Sequence, residues 1–504
     1  MAAAAPHAWK FTLWLAAGLF VLRALYLPWC ELFPEEAYYW NYAQHLDIGY
    51  LDHPPMVAWL IALGTAVFGH GEWAVRVGAL GCSALTAFFA FRLTRTLGYD
   101  RRAAWTAVGL VQLLPYFFAA GWIMTPDAPL TACWAATLYF LARVLLAGDG
   151  RAWWGVGAAL GLGMLSKYTV ALLGVATLVF LVLDPAARRW FRDWRPYAAV
   201  TLAVAIFSPV IVWNARHHWA SFAFQSVGRV EAARRFSFHE LLGAILVVLT
   251  PLGVVLAGRV LTGRAADDDG GVAAARRRRF ARVYALVPLA VFAVFSLTHR
   301  VKLNWTGPLW LAVVPGIAAF LADVPARGWR TAWNATAAVL AVGYAGLLQY
   351  LAFGLPGVGY ARRTELLPVG WRQMAAELDA RRDALESAGA PGPVLVVGMD
   401  KDFIASETAF YNPDQTHAVE EVAGAHLFGG DSLMYSFWLP APRAEGATLV
   451  LAGFERAEID GLRVRQHGTR LEPVEEHPLK VRGKPARTYY TRVVSGYHSR
   501  RSGP

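Results

Sequence analysis

The chain has 504 residues, of which 56% are hydrophobic and only 16% charged, with a formal net charge of +11. A soluble enzyme carries nearer a quarter charged residues, so this composition excludes that class and indicates a polytopic α-helical membrane protein. The surplus cations stand at the ends of apolar stretches: Arg92, Arg95, Arg101 and Arg102; Arg188, Arg189, Arg192 and Arg195; Arg276 through Arg279; Arg327 and Arg330. That placement argues against nucleic acid as a partner. By the positive-inside rule it marks cytoplasmic loops, with the lipid bilayer as the surrounding phase.

In chain order, "FTLWLAAGLFVLRALYLPW" (11–29) lacks a small-residue cleavage site and reads as a retained first span. A first outer loop follows at about 30–73, holding Glu31, Glu35, Glu36, Asp47 and Asp52. Within it "VAWLIALGTAVFGHG" (57–71) is short for a span and reads as an interfacial helix. Further spans are expected near 74–96, 103–121 and 126–147. The stretch 153–184 is too long for one helix, which would also strand Lys167 near the bilayer midplane at a cost of a few kcal/mol. Two short helices meeting near Ser166–Tyr168 remove that cost and keep the flanking arginines on one side. Spans near 196–213, 241–262, 280–298, 303–323 and 331–353 complete about eleven transmembrane helices, or up to thirteen if 57–71 inserts in a hairpin. The N terminus is then cytoplasmic. "TGRAADDDGGVAAARRRR" (262–279) reads as a disordered cytoplasmic loop.

The transmembrane domain is thus expected over 1–356. Residues 357–504 are more charged and are expected to form an α/β soluble domain on the outer face, with "WRQMAAELDARRDALESA" a helix and "GPVLVVGMD" and "ATLVLAGF" buried strands. Cys30, Cys82 and Cys133 have no ligand spacing and an odd count, which indicates packing rather than disulfides or metal.

The outer loops gather Lys167, His299, Arg300 and Lys302, cations on the side where the positive-inside rule disfavours them. Such a cluster suits a phosphate held at the membrane surface. The nearby acids, Glu35, Glu36, Asp52 and Asp127, suit proton removal from a hydroxyl or the holding of sugar hydroxyls. Each residue also has a plain structural reading: a helix cap after Pro34 for the glutamates, a helix start for Asp127, a snorkelling amine for Lys167.

The run "PEEAYYW", "YLDHPPMVAWLIAL", "GEWAVRVGAL", "TPDAPL", "LSKYTVALL", "PVIVWNARHHWASFAFQ", "KLNWTGPLW" and "DKDFIASETAFYNPD" resembles the ArnT-like group of the glycosyltransferase 39 family, related to protein O-mannosyltransferases and lipid A aminoarabinose transferases. The resemblance implies a GT-C fold. It implies transfer of one sugar, with inversion, from a polyprenyl-phosphate carrier to a hydroxyl of a lipid, glycan or protein acceptor at the outer face of the cytoplasmic membrane. Carried onto this chain, it gives Glu35, Glu36 and Asp127 as catalytic acids, with Glu35 the general base. Many members have aspartate at that position, so the extra methylene leaves Glu36 as the other candidate. It gives His53, Lys167, Tyr168 and Lys302 to the donor phosphate; His299 and Arg300, cations of the same outer loop as Lys302, are expected to join them, and Gln225, Arg229, Asn304 and Trp305 of the outer loops are expected to bind substrate. Asp52 becomes a candidate ligand for a divalent cation (Mg, Mn or Zn). The competing class is a lipid-linked sugar flippase or other transporter, whose paired half-helices and internal pseudo-symmetry the sequence does not show.

Overall fold

The computed structural model describes residues 8–230, 234–263, 271–323, 327–360, 366–415 and 419–499. Its helices include α1 (Ala8–Tyr26), α2 (Pro34–Gln44), α3 (Met56–Phe68), α4 (Glu72–Thr96), α5 (Arg101–Leu113), α6 (Pro115–Ala120), α7 (Asp127–Leu145), α8 (Ala152–Met164), α9 (Leu172–Leu183), α10 (Arg195–Arg216), α11 (Ala220–Gln225), α12 (Val227–Val230), α13 (Phe238–Thr262), α14 (Val272–Ser296), α15 (Val314–Ala322), α16 (Arg327–Phe353), α17 (Trp371–Ser387) and α18 (Phe403–Tyr411). The strands are β1 (Val394–Gly398), ahead of α18, and β2 (Val422–Gly424), β3 (Thr448–Gly453), β4 (Arg470–Leu471), β5 (Glu475–Val481) and β6 (Lys484–Ser495) after it. The chain divides into two compact units: residues 1–25, 53–57 and 76–345, and residues 26–52, 58–75 and 346–504.

Among the described residues, seven helices are long and apolar enough to cross a membrane: α1, α4, α7, α10, α13, α14 and α16. The pair Leu303–Ala312 and α15, bent by 61°, makes eight if it is one broken span, and α3, α8 and Tyr168–Leu183 are shorter apolar helices.

Several expected spans are interrupted for local reasons. The helix expected over 103–121 stops at Leu114, whose ψ of 138° is the extended conformation that a following proline imposes, and restarts at Pro115. α13 is kinked at Thr250, just before Pro251. The arginine run expected in a disordered loop lies instead in the first turns of α14, while 264–270 fall outside the described residues. Its Arg276 pairs with buried Asp184 at 2.8 Å and donates to the carbonyl of Leu145; Arg279 reaches Asp184 at 3.4 Å. Partnered in this way, the cations are compatible with a helix end.

The long apolar stretch breaks where the sequence indicated. α8 ends at Met164, Lys167 is extended, and a 3-10 turn at Tyr168–Ala171 leads into α9. Arg276 joins the ends of α7 and α9, while Lys167 meets the start of α7, so α8 and α9 run out and back beside it. α8 packs on α7 and α10, and α9 on α14. A Cβ on Gly157 would lie 2.5 Å from the Ala199 carbonyl oxygen, so glycine allows α8 and α10 this close approach.

In the second unit the sheet order is β2-β1-β3-β6-β4, with β5 paired to β6. β1 is parallel to β2 and β3, and β6 is antiparallel to β3. β1 and β3 are buried throughout, as their unbroken apolar runs require, around a core that includes Val397, Leu449, Leu451, Phe428 and Val494. α17 and these two strands occupy the positions expected from sequence. The β5–β6 hairpin was not expected. Its turn, Arg482–Gly483, has two positive φ angles, and β5 is mostly exposed, so it carries no apolar signature.

Candidate functional site

In the first unit Asp127 opens α7, where the helix dipole favours a carboxylate. Its Oδ1 accepts from Lys167 Nζ at 2.9 Å, and its Oδ2 from Asn304 Nδ2 at 2.5 Å. The Asp127 and Lys167 side chains are only 9% and 13% exposed. The ammonium is therefore held in place by one donated bond, with its other two N–H groups left to bind elsewhere.

Lys167 lines a groove of about 610 Å³. His53, Tyr168, Gln225 and Trp305 share that lining, so the fold brings together residues that are far apart in sequence. His53 arrives because the backbone N–H of Met56 bonds to the carbonyl of Leu165 at 3.0 Å, fastening the 53–57 stretch to the end of α8. Tyr168 bonds Ser221 at 2.9 Å and packs edge-on against Phe222, while Trp305 packs on Phe292 and Phe295. Apart from Thr169 and Ser226 the rest of the lining is apolar, with side chains such as Phe207, Phe222, Val291, Phe292 and Phe295. An ammonium beside a long apolar trough can hold an anionic head with a hydrocarbon tail.

Other expected phosphate ligands are placed elsewhere. Arg300 is exposed and pairs with Glu240 at 3.5 Å. His299 bonds Thr298 and stacks on Phe295, and Lys302 is exposed ahead of the 3-10 turn that carries Asn304. Arg229 lies in α12, and its side chain is outside the described set.

In the second unit the two glutamates part company. Glu36 is fully buried and its Oε2 accepts from the Phe33 backbone N–H at 3.0 Å, the cap of α2, whereas Glu35 is exposed on the same first turn. Asp52 is buried, and its Oδ1 accepts from the hydroxyls of both Tyr38 and Tyr42. Burial outweighs these bonds and raises its carboxyl above the usual range. Asp402 is raised well above its usual value by burial first, then by the charges of Asp400, Asp52 and Glu35. Asp400, which accepts from the backbone at the start of α18, is raised to about 6, again mainly by burial.

Among the described residues no group of three or more His, Cys, Asp or Glu is placed to hold a metal, and the tyrosine hydroxyls already occupy Oδ1 of Asp52. Sequence reasoning missed the tyrosine pair, although its four-residue spacing on a helix next to an acidic turn was a usable signal. It also missed the phenylalanines of the groove, which look like any core position.

Over residues 52–213 the chain matches the family described as dolichyl-phosphate-mannose-protein mannosyltransferase. It is 31% identical over 200 residues to a lipid A galacturonosyltransferase, RgtD, of Rhizobium johnstonii, covering 37% of this chain and 39% of that protein. It is 31% identical over 171 residues to an undecaprenyl phosphate-alpha-4-amino-4-deoxy-L-arabinose arabinosyl transferase of Pseudomonas paraeruginosa, covering 33% and 31%. The matches thus span about two fifths or less of these curated relatives' length. The crystal structure of ArnT from Cupriavidus metallidurans bound to undecaprenyl phosphate shares the fold, with a TM-score of 0.61 and 16% identity, over 96% of this chain and 98% of that one.

Proposed function

We propose, for a chain that has the fold of the GT-C glycosyltransferases and matches the mannosyltransferase family over residues 52–213, that it is an inverting glycosyltransferase of the cytoplasmic membrane. It moves a sugar from a polyprenyl-phosphate carrier to a hydroxyl of a lipid, glycan or protein acceptor at the outer face. Its N terminus lies in the cytoplasm and its C-terminal domain outside. The observation that carries this reading is the Lys167 ammonium, fixed by buried Asp127, beside a groove whose walls are apolar. A carrier of this class has the matching parts, a phosphate and a long hydrocarbon chain.

In this reaction the acceptor oxygen attacks the anomeric carbon, the bond from that carbon to the phosphate oxygen breaks, and the polyprenyl phosphate leaves as an anion. Lys167, with His53 on the same groove, stabilises the charge that grows on the phosphate. Glu35 takes the acceptor proton. Glu36 is committed to the cap of α2, which favours Glu35 for that part. Asp127 and Asn304 keep Lys167 and the adjoining turn in register. The transporter reading has no counterpart among the relatives named above, which are transferases.

Glu35→Gln in purified, lipid-reconstituted protein tests the assignment. The reading expects a loss of about 100-fold or more in sugar transfer, with donor binding retained. Wild-type turnover in this variant would remove Glu35 as the base.

A further inference from the structure

Tyr116 is buried on α6 and is not one of the residues that line the groove, yet it stands between the two elements that meet at Asp127. On one side its hydroxyl lies 2.8 Å from Thr131 Oγ1, and Thr131 Oγ1 donates to the main-chain carbonyl of Asp127 at 2.6 Å. A threonine hydroxyl has one proton. Since Thr131 spends it on Asp127, Tyr116 must be the donor to Thr131. On the other side its ring lies against Gly307, where a Cβ would fall 2.1 Å from the ring atoms Cδ2 and Cε2. Gly307 directly follows the turn Leu303–Thr306 that carries Asn304, and its backbone N–H bonds to the Asn304 carbonyl at 3.2 Å. Glycine here has an ordinary helical φ of −54°, so close approach and not backbone conformation is what requires it.

We infer that Tyr116 is a positioning residue for the transfer reaction: a spacer that sets the distance between Asp127 and Asn304 and so the orientation in which Lys167 meets the donor phosphate. The inference rests on the function proposed above. The Asp127–Asn304 bond of 2.5 Å joins α7 to the 303–306 turn, and Tyr116 is bonded to the first and wedged against the second. Removing only its hydroxyl leaves the wedge but frees Thr131 to rotate, loosening the first turn of α7. In a site that works by positioning, a shift well under an ångström lowers the rate more than it weakens binding.

The test compares Tyr116→Phe, Thr131→Val, the double variant and Asp127→Asn in the purified full chain, by steady-state transfer from a polyprenyl-phosphate sugar, with thermal unfolding as a control. Tyr116→Phe is expected to lower kcat by about 10-fold with donor KM within about 2-fold. Thr131→Val should do the same, and the double variant should be no worse than either, because both act through one chain of hydrogen bonds. Wild-type kcat in Tyr116→Phe overturns the inference, as do losses that multiply in the double variant. If Tyr116→Phe unfolds at lower temperature, the comparison rests on Thr131→Val and on the KM-against-kcat split of whatever folds. Wild-type turnover in Asp127→Asn would instead overturn the site itself, which keeps the two failures apart.

Discussion

Replacing Lys167 by methionine removes the charge and keeps most of the stem. Its partner Asp127 is 9% exposed on its side chain and would retain only the bond from Asn304. Stranding one member of a buried ion pair costs about 3–5 kcal/mol. Asn304 still satisfies one oxygen and Lys167 is itself 13% exposed, so the lower end applies: about 3 kcal/mol for Lys167→Met, and somewhat less for Asp127→Asn. The double variant strands no charge and should lose only about 1–2 kcal/mol, a coupling of about 3 kcal/mol or more. Denaturant titration of the purified chain in mixed micelles reads the three values, and a sugar-transfer assay on the same samples reads activity. The double variant should be more stable than Lys167→Met and yet as inactive. If its destabilisation equals the sum of the singles, the pair is not coupled and the geometry argued for the groove mouth is wrong.

Glu31 accepts from the Trp371 backbone N–H at 2.7 Å at the start of α17, and burial pushes its carboxyl up to about 6, despite that bond and the cations Arg372 and Arg487. Because the folded value is raised, its contribution is fully present below the ordinary carboxyl range and is lost as pH rises toward 6, a change of about 2 kcal/mol at most. Glu31→Gln should therefore flatten stability between pH 4.5 and 6 and be neutral or stabilising at pH 8; a constant offset from wild type across pH 4–8 would contradict this. Asp400 is raised to about 6 as well and supplies the slope that remains in Glu31→Gln. At Gly157, a methyl group would press on backbone rather than on a flexible side chain, so Gly157→Ala should cost about 1–3 kcal/mol, whereas Gly174→Ala, which meets open space, should not destabilise. Equal unfolding midpoints for the two variants would rule out the close approach of α8 to α10.

Legibility followed the strength of the physical signal. Lys167 in an apolar stretch too long for one helix forced a break there, and the break appears at that place. β1 and β3 were readable as unbroken apolar runs ended by glycine. Arg276 through Arg279 misled, because four like charges in a row look solvated until Asp184, far away in sequence, is placed beside them. The groove was half legible: its polar members carried chemistry that a loop does not need, while its phenylalanines were indistinguishable from core. Arg300 shows the opposite failure, a cation in a suggestive place whose partner Glu240, just ahead of the span expected at 241–262, was not singled out. Tyr116 gave no signal, since a tyrosine in an apolar helix is common outside any site, and Gly307, although inside the KLNWTGPLW run, looked like any glycine before proline.

In the proposed reaction the groove beside Lys167 receives a polyprenyl-phosphate sugar, and the sugar–phosphate bond breaks there. The most direct measurement reconstitutes the purified chain in vesicles with radiolabelled polyprenyl-phosphate sugars and an extract of envelope glycolipids and glycoproteins, and follows where the label goes. Label is expected on an acceptor, with release of free polyprenyl phosphate, and both should be lost in Lys167→Met. Label that crosses the bilayer still attached to its phosphate, or stays on its carrier with every donor while Lys167→Met behaves as wild type, would contradict the proposed reaction.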